Sequence, residues 1–419
     1  MDNPSFTALK KAFSSIEELP YCEGSMRLDD PSISKVFYQK DGDNASMVDF
    51  MDARDDQLKA LADACQAASF GLNKQDVVDE TYRKAGKIDN TRFATMFNPR
   101  DVGILDAVVT NLLRGRVTAD EVVAELYKLN VYGPGSFFKP HVDTPRSADM
   151  FGSLVIVLPT KHEGGTLIFR HEQRAWNFDS AAMIGQDSKV VYAAFLGDVE
   201  HEVLPVISGY RVTLTYNLYS RKRSGLPTAV NMRDYPGLPE MRDGLLALLK
   251  DTSFLPEGGF LGWGLSHRYP FDMSRTQLSD IKGRLRGADS IVYGLCTELG
   301  LDISLKAIYR DSDPNLCDFC LSDRFLDLDT YGEIECPLMT FIEDELGGQY
   351  CRPLDKLTGP YYWYFSEDAP FKAVAFVKPL TKTNSFKSTY LHYGNEATLA
   401  SAYGEVCLVV PVAPATDRK

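Results

Sequence analysis

The sequence predicts an α+β protein whose centre is a mostly antiparallel β-sandwich or barrel. Two observations lead to this class. Helical periodicity dominates the stretch before residue 120, and runs rich in β-branched and aromatic residues follow one another closely after it. No helical pattern separates these runs, as is typical of antiparallel strands. We therefore divide the chain into three regions, residues 1–119, 120–220 and 221–419.

The first region, residues 1–119, combines short strands with helices that we expect to pack on the core. SKVFYQK and ASMVDF alternate between turns rich in Asp, Gly and Asn, and they predict edge strands. A helix is predicted from Asp55 towards Gly71, where apolar residues recur at helical spacing. Further helices are predicted at residues 76–85, 101–113 and 118–127. The last begins with Thr-Ala-Asp-Glu, which is close to a capping box.

The second region, residues 120–220, is the strand-rich core. Its strands are predicted in LYKLNVY, SLVIVLP, GTLIFRH, KVVYAAF and YRVTLTYNLY. The third region, residues 221–419, begins with the polar segment RKRSGLPT. Helices are predicted there in MRDGLLALLK and GADSIVYGLCTELG, and strands in LDISLKAIY, AVAFVKPL and VCLVVPV. We expect this region to be an α+β extension that serves as a cap, a lid or a second domain.

Composition narrows the class of protein. The chain has 419 residues, of which 44% are hydrophobic and 25% charged, as in soluble globular proteins. Its net charge of -13 repels phosphate backbones, so no nucleic-acid partner is expected. No apolar run is long enough to span a membrane, and no secretory signal is evident. We expect a cytoplasmic or nuclear protein, whose oligomeric state is left open.

The cysteines predict free thiols. A chain of this size without an export signal is expected to keep its 8 cysteines reduced. Cys317-Asp-Phe-Cys320 has the spacing of a redox or zinc pair, but no second pair accompanies it. Buried or incidental thiols are therefore the better interpretation. His162, His267 and His392 lack partners at ligand spacing and are expected to be hydrogen-bonded structural residues.

A candidate metal site lies in the strand-rich core. Residues i and i+2 of a strand face the same side, so His141 and Asp143 are expected to point together, with Val142 turned into the sandwich. His201 supplies a second imidazole. Two nitrogens and one oxygen without thiolate favour Fe(II) or Mn(II) over structural zinc and leave three positions open. Arg211 can bind the far carboxylate of a 2-oxo acid through two hydrogen bonds. The alternative is that such a His-x-Asp pair is a solvated turn.

The residues around this site resemble a known family. NVYGPGSFFKPHVDTPR, the block Gly164–Phe169 after Glu163, and HEVLPVISGYRVTLTYNL are similar to the core of Fe(II)/2-oxoglutarate dioxygenases of the prolyl 4-hydroxylase type. The resemblance implies a double-stranded β-helix, a jelly-roll or cupin-like fold. It implies Fe(II), 2-oxoglutarate and O₂ as cofactors, with ascorbate as an additional reductant. It assigns the iron to His141, Asp143 and His201, and the 2-oxoglutarate carboxylate to Arg211.

Two positions depart from the prolyl 4-hydroxylase pattern. Many members anchor the co-substrate with Lys, where this chain has Arg211, and many have Tyr where this chain has Phe138. The hydrogen bond of that Tyr to the co-substrate is then missing or is supplied by Tyr132, Thr213 or Tyr192, and packing is the better interpretation for each of these three. Substrate-facing residues of related folds correspond to Arg146, Arg170, His171 and Arg174, and Trp176 is a candidate for lining the pocket. The substrate-binding candidates are therefore Arg146, Arg170 and Trp176. The alternative for these three is a solvated charge or a packing role.

The resemblance implies an oxidoreductase, with three possible functions. The first is oxidation of an unactivated C–H bond in a small-molecule or amino-acid-derived substrate, with release of succinate and CO₂. The second is hydroxylation of prolyl or other residues in a protein. The third is a catalytically silent metal-binding module, which would have no need to keep a complete set of ligand and anchor residues. Hydroxylation, desaturation and ring formation remain alternative outcomes.

Overall fold

The computed structural model divides the chain into two compact units, residues 19–228, and residues 1–18 together with 229–419. The residues that the structure describes are 3–16, 19–28, 30–40, 44–72, 75–113, 121–147, 149–185, 189–220, 237–269, 271, 273, 276–310, 318–328, 338–356, 371–393 and 397–418. None of the helices within these ranges is long and apolar enough to cross a bilayer. Helix α1 (Pro4–Ser14) opens the chain.

Residues 19–228 are rich in strands. In chain order these are β1 (Tyr21–Arg27), β2 (Lys35–Gln39), β3 (Ala45–Asp49), β4 (Gln66–Ala67), β5 (Phe70–Leu72), β6 (Gln75–Val77), β7 (Arg83–Lys84), β8 (Gly86–Asp89), β9 (Phe93–Thr95), β10 (Val122–Tyr132), β11 (Phe137–His141), β12 (Met150–Val157), β13 (His162–Gly164), β14 (Leu167–His171), β15 (Arg174–Phe178), β16 (Lys189–Leu196), β17 (Glu200–Val203), β18 (Val206–Gly209) and β19 (Arg211–Ser220). The helices are α2 (Asp55–Asp63), α3 (Ile104–Asn111) and α4 (Ser180–Ile184).

Two antiparallel sheets dominate this unit. The larger has the strand order β1-β16-β12-β19-β10-β8-β4, and the smaller has the order β15-β14-β17-β11-β7. Side chains of both sheets, among them Leu154, Leu214 and Phe169, are fully buried in one hydrophobic core. The alternation of apolar residues along each strand turns one face of each sheet towards this core. The predicted α+β class with a strand-rich centre is confirmed.

Local sequence explains the helices that pack on this core. The helix predicted from Asp55 is confirmed but ends at Asp63, and its buried residues Leu58 and Leu61 are three positions apart. The helix predicted at 101–113 is confirmed as α3, whose apolar face is buried. The edge strands predicted in SKVFYQK and ASMVDF are confirmed as β2 and β3, which pair with each other.

Two helix predictions are wrong. Residues 76–85 contain β6 and β7, joined through a turn in which the backbone N–H of Thr81 donates to Asp79 Oδ1 at 2.8 Å. In the helix predicted at 118–127, residues 118–120 lie outside the described residues, and β10 starts at Val122. Val122 to Tyr132 pair with β19, and the cross-strand ladder and burial outweigh a local capping pattern.

The second unit contains most of the third region. Its strands are β20 (Gly259–Gly264), β21 (Ser304–Arg310), β22 (Phe319–Ser322), β23 (Gln349–Pro353), β24 (Lys372–Lys378), β25 (Ser385–Tyr393) and β26 (Ala397–Val412). Its helices after α1 are α5 (Leu238–Lys250), α6 (Leu278–Lys282), α7 (Gly287–Glu298) and α8 (Leu338–Asp344). The helices and strands predicted here from MRDGLLALLK, GADSIVYGLCTELG, LDISLKAIY, AVAFVKPL and VCLVVPV are confirmed.

The strands of this second unit close into a ring. The order β20-β24-β23-β22-β21-β26 returns to its start because β20 also pairs with β26, and β25 adds to the outside of β26. Closure removes the free edges that an open sheet would leave. Helix α1 packs on α5 in the same unit, where Leu9 is fully buried and Gly244 permits the close approach.

The described cysteines are free, as predicted. They are Cys22, Cys65, Cys296, Cys320, Cys351 and Cys407. Burial raises the pKa of the Cys320 thiol to about 12, so this thiol stays protonated and poorly reactive. Cys317, the other member of the predicted pair, lies outside the described residues.

Candidate metal centre

The two histidines of the candidate site are brought together by strand pairing. His141 is the last residue of β11, and the antiparallel register places it opposite His201 of β17. Opposite residues in an antiparallel pair project to the same side of the sheet. The centroids of the two imidazole rings are 4.1 Å apart. Long-range pairing therefore completes a histidine pair that is separated in sequence.

Asp143 joins this pair from beyond the end of β11. Its Oδ1 atom lies 3.8 Å from Nε2 of His201, and Ser153 Oγ donates a hydrogen bond to its Oδ2 at 2.5 Å. Ligand atoms from His141, Asp143 and His201 all lie within 4.8 Å of one another. Val142 is 42% exposed, so the expectation that it turns into the sandwich is wrong. The reason is that the strand ends at His141 and strand alternation no longer applies.

Backbone carbonyls fix the orientation of both imidazoles. His141 Nδ1 lies 2.9 Å from the carbonyl oxygen of Lys139, and His201 Nδ1 lies 3.0 Å from that of Val199. A carbonyl oxygen can only accept a hydrogen bond, so each Nδ1 carries the proton. Each Nε2 atom then keeps a lone pair for a metal. Such outer hydrogen bonds are the usual way in which metal-binding histidines are held.

The charges of the site also suit metal binding. Burial, reinforced by His201, lowers the pKa of His141 to about 3, so its imidazole is neutral. Burial acts to raise the pKa of Asp143, but the two imidazoles and the bond from Ser153 outweigh it, and the net pKa is lowered. A neutral imidazole and an ionised carboxylate are the ligand forms that metals require. The donor set of two nitrogens and one oxygen fits Fe(II).

Arg211 is the second distinctive feature of this unit. It begins β19 opposite Tyr132, and only 1% of it is exposed. Its Nε donates to Ser180 Oγ at 3.2 Å, whereas its Nη2 is buried without a hydrogen-bond partner within the described part of the chain. Burial lowers the pKa of its guanidinium to about 10, although Tyr132 acts in the opposite direction. Burying a guanidinium group without an ion-pair partner costs folding free energy unless an anion binds to it.

Ser180 and His162 hold this arginine in position. His162 Nδ1 lies 2.8 Å from the carbonyl oxygen of Thr160, so it donates there, and its Nε2 accepts from Ser180 Oγ at 3.1 Å. The serine oxygen is thereby left to accept from Arg211. His162 is a hydrogen-bonded structural residue, as predicted. Neither its role beside Arg211 nor that of Ser180 was predicted, because their partners are distant in sequence.

The glycine pair of the block Gly164–Phe169 makes room for the same side chain. Gly165 has φ +71, and a Cβ atom there would lie 2.8 Å from Cδ of Arg211. Left-handed backbone and close approach both favour glycine at this position. The stem of Arg211 therefore packs directly against the backbone of Gly165.

The remaining candidate co-substrate residues lie near this arginine. Cζ of Arg211 is 5.6 Å from the centre of the Tyr132 ring, and Thr213, two residues along β19, is 1% exposed. Phe138, where many prolyl 4-hydroxylases have Tyr, stacks on His141 with 3.5 Å between ring centroids. Phe138 thus packs against His141, one of the candidate metal ligands.

The three candidate substrate residues differ in their surroundings. Arg146 is exposed and contacts Tyr127, with its Cζ 4.3 Å from the ring centre. Arg170 forms ion pairs with Glu200 and Glu202. Trp176 is half-buried and packs against Tyr21, with 5.9 Å between ring centroids. Contacts within the unit account for Arg170 and Trp176, whereas Arg146 has no ion pair with a described carboxylate.

One site residue could have been found from the sequence. Ser153 is a polar residue within the apolar strand SLVIVLP, and it is 2% exposed. A buried polar residue needs a hydrogen-bond partner. A serine within an apolar strand therefore indicated a buried hydrogen bond, and the structure shows that its partner is Asp143.

Known proteins provide an independent comparison. Residues 127–219, which include all four residues assigned to iron and 2-oxoglutarate, match the family model of the 2OG-Fe(II) oxygenase superfamily. A search of curated proteins finds no match.

Solved structures share low identity with this chain. A Pseudomonas putida prolyl-4-hydroxylase is 18% identical, with 51% of this chain and 100% of that chain covered and a TM-score of 0.28. A 2OG-Fe(II) oxygenase family oxidoreductase from Burkholderia pseudomallei is 18% identical, with coverages of 41% and 82% and a TM-score of 0.24. A Trichoplax adhaerens prolyl hydroxylase, bound to a hypoxia inducible factor oxygen degradation domain peptide fragment, is 14% identical, with coverages of 51% and 89% and a TM-score of 0.30.

Proposed function

Because residues 127–219 belong to the 2OG-Fe(II) oxygenase superfamily, the chain is an Fe(II)/2-oxoglutarate-dependent dioxygenase, and we propose that it oxidises an unactivated C–H bond of a small-molecule or amino-acid-derived substrate. Succinate and CO₂ are the expected co-products. The observation that carries the proposal is the buried guanidinium of Arg211, whose Nη2 has no partner among the described residues. This guanidinium group can donate hydrogen bonds to a carboxylate of 2-oxoglutarate.

His141, Asp143 and His201 would hold the iron. Fe(II) with 2-oxoglutarate and O₂ supplies the oxidising power for the C–H bond. The carbonyls of Lys139 and Val199 hold the Nδ1–H groups, so that in the neutral imidazoles each Nε2 atom is the one available to the metal. Ser153 orients the carboxylate of Asp143. The ligand atoms are thus arranged before metal binds, which reduces the cost of ordering them on binding.

Arg211 would bind the carboxylate of 2-oxoglutarate that lies away from the iron. Its Nη2 is free to donate, and its Nε is held by Ser180, so the guanidinium plane is fixed. Tyr132 and Thr213 would line the same co-substrate site. The two sheets of this unit would form the double-stranded β-helix that the family resemblance implies, with the metal site at the ends of β11 and β17.

An anaerobic titration tests this function. Fe(II) and 2-oxoglutarate added together are expected to give a weak visible metal-to-ligand charge-transfer band, and neither alone should do so. Succinate release would then be measured across a panel of metabolites and peptides. Absence of the band in folded protein would rule out joint binding. Stimulation by peptides alone would exclude the small-molecule substrate class.

Gly165→Ala is expected to displace Arg211. The new Cβ would lie 2.8 Å from Cδ of Arg211, on a residue whose φ is +71. We expect about tenfold weaker 2-oxoglutarate binding, measured by calorimetry, and a loss of about 1–3 kcal/mol in the free energy of unfolding. Gly300→Ala is the matched control, since Gly300 also has φ +71 but no atom lies within 4 Å of its Cβ position. Equal 2-oxoglutarate affinities for the two variants would contradict the proposed role of Gly165.

A further inference from the structure

Three basic residues near the candidate metal centre have no ion pair with a described carboxylate. Lys128 is 8% exposed and Arg83 is 6% exposed, whereas Arg146 is exposed and follows Asp143 by three positions. The chain has 58 acidic and 45 basic residues, so acidic residues are not scarce. Buried cations are normally paired. Two buried cations without an ion-pair partner among the described carboxylates therefore indicate a missing anion.

Arg83 is connected to the metal site through Phe138, and Lys128 is on the same strand as Asn130, which Arg83 contacts. Arg83 Cζ is 4.3 Å from the centre of the Phe138 ring, and Phe138 stacks on His141. Arg83 Nη2 donates to Asn130 Oδ1 at 2.9 Å, while its Nε is buried without a hydrogen-bond partner among the described residues. Lys128 is two residues before Asn130 on β10. The two cations thus adjoin one polar patch of the larger sheet.

The electrostatics of Lys128 support an unfilled anion site. Burial, reinforced by the positive charges of Arg83 and Lys87, lowers the pKa of its ammonium to about 7. The two carboxylates that oppose this effect are already engaged. Asp143 is the proposed metal ligand, and Asp89 lies 3.4 Å from Lys87 in an ion pair. Iron bound to Asp143 would offset the negative charge of this carboxylate and so weaken its attraction to Lys128.

We propose that Lys128, together with Arg83, binds a carboxylate group of the substrate beside the iron site. This inference rests on the proposed function and names the substrate class, a carboxylic acid. The carboxylates of 2-oxoglutarate would be taken by the iron and Arg211, so a further anion must come from the substrate. The ammonium of Lys128 offers three N–H donors and Arg83 Nε offers one. Arg146 contacts the same Tyr127 ring as Lys128 and adds positive charge that attracts the acid.

The test uses the full chain loaded with Mn(II) and 2-oxoglutarate, with [13C]acetate as the probe. Paramagnetic Mn(II) accelerates the relaxation of a 13C nucleus that is held close to it. We expect a saturable acceleration in the wild type and about tenfold weaker acetate binding in Lys128→Met. Lys128→Arg should retain binding because it keeps the charge. [13C]Acetamide, which has a similar shape without the charge, should show no saturable effect.

Lys87→Met is the matched control, since Lys87 is a neighbouring cation that Asp89 already pairs. Acetate binding should be unchanged in this variant. Equal acceleration in Lys128→Met and wild type would mean that acetate binds the metal directly, and it would overturn the proposal. So would the absence of saturable acceleration in the wild type. Loss of 2-oxoglutarate binding in Lys128→Met, measured by calorimetry, would place Lys128 in the co-substrate site instead and overturn the proposal as well.

Two further probes distinguish the source of the carboxylate. Displacement of [13C]acetate by N-acetyl-L-aspartate, but not by a blocked pentapeptide with a central aspartate, would assign the site to free acids. Displacement by both would extend it to acidic side chains in polypeptides. Failure of the proposed function is recognised separately, because the wild type would then not bind Mn(II) and 2-oxoglutarate together before acetate is added.

Discussion

Asp143→Ala is expected to abolish iron-dependent turnover of 2-oxoglutarate. The substitution removes the one carboxylate among the proposed ligands and leaves two neutral imidazoles, which bind Fe(II) more weakly. We expect succinate formation to fall by more than the roughly 100-fold that loss of an outer hydrogen-bond partner can cost. Succinate release and Fe(II) binding measure the two effects separately. Wild-type turnover in Asp143→Ala would contradict the assignment of this ligand.

The loss of turnover in Asp143→Ala is compared with the loss in two milder variants. Ser153→Ala keeps the ligand but removes the 2.5 Å hydrogen bond to its Oδ2. We expect an intermediate loss of about 10–100-fold for it. Val142→Ala changes the residue between the two ligands, but its side chain is 42% exposed and has no atom that can bind a metal, so turnover should be unchanged. A graded series would separate ligand loss from general disturbance of this turn.

Arg211→Met is expected to weaken 2-oxoglutarate binding while leaving the apoprotein at least as stable. The charge-assisted bonds lost from the complex are worth about 3 kcal/mol, which corresponds to roughly a 100-fold higher KM for 2-oxoglutarate. In the apoprotein the buried guanidinium has an unpartnered Nη2. Replacing such a buried charge with an apolar side chain of similar length is neutral or stabilising by about 1–4 kcal/mol. Opposite effects on stability and on co-substrate binding are the signature of a binding residue.

Thermal unfolding with and without 2-oxoglutarate measures both effects. Wild type should gain stability when metal and 2-oxoglutarate are added, whereas Arg211→Met should gain little. Arg211→Lys keeps a positive charge but loses the planar fork, and we expect it to recover part of the affinity. If Arg211→Met were strongly destabilised and kept its 2-oxoglutarate affinity, Arg211 would be a structural residue.

The family and enzyme class expected from the sequence are confirmed, and much of the fold was also predictable. The central strands were found because β-branched and aromatic residues recur in short runs between turn residues. The wrong helix prediction at 118–127 has a different cause. At 118–127 a local capping pattern competed with pairing to the distant strand β19, and pairing prevailed from Val122 onwards.

The sequence by itself determined the residue types of the candidate site. His141, Asp143, His201 and Arg211 were identified before any contact was known, and the family match covers their range.

Tertiary structure alone decided which side chains meet them and how each is charged. The register of β11 and β17 puts the imidazoles side by side, Ser180 holds Arg211, and Lys128 is buried without an ion pair to a described carboxylate. Local periodicity specifies the face of a strand but not its partner. The cost of burying a charge depends on atoms that only the folded chain brings near.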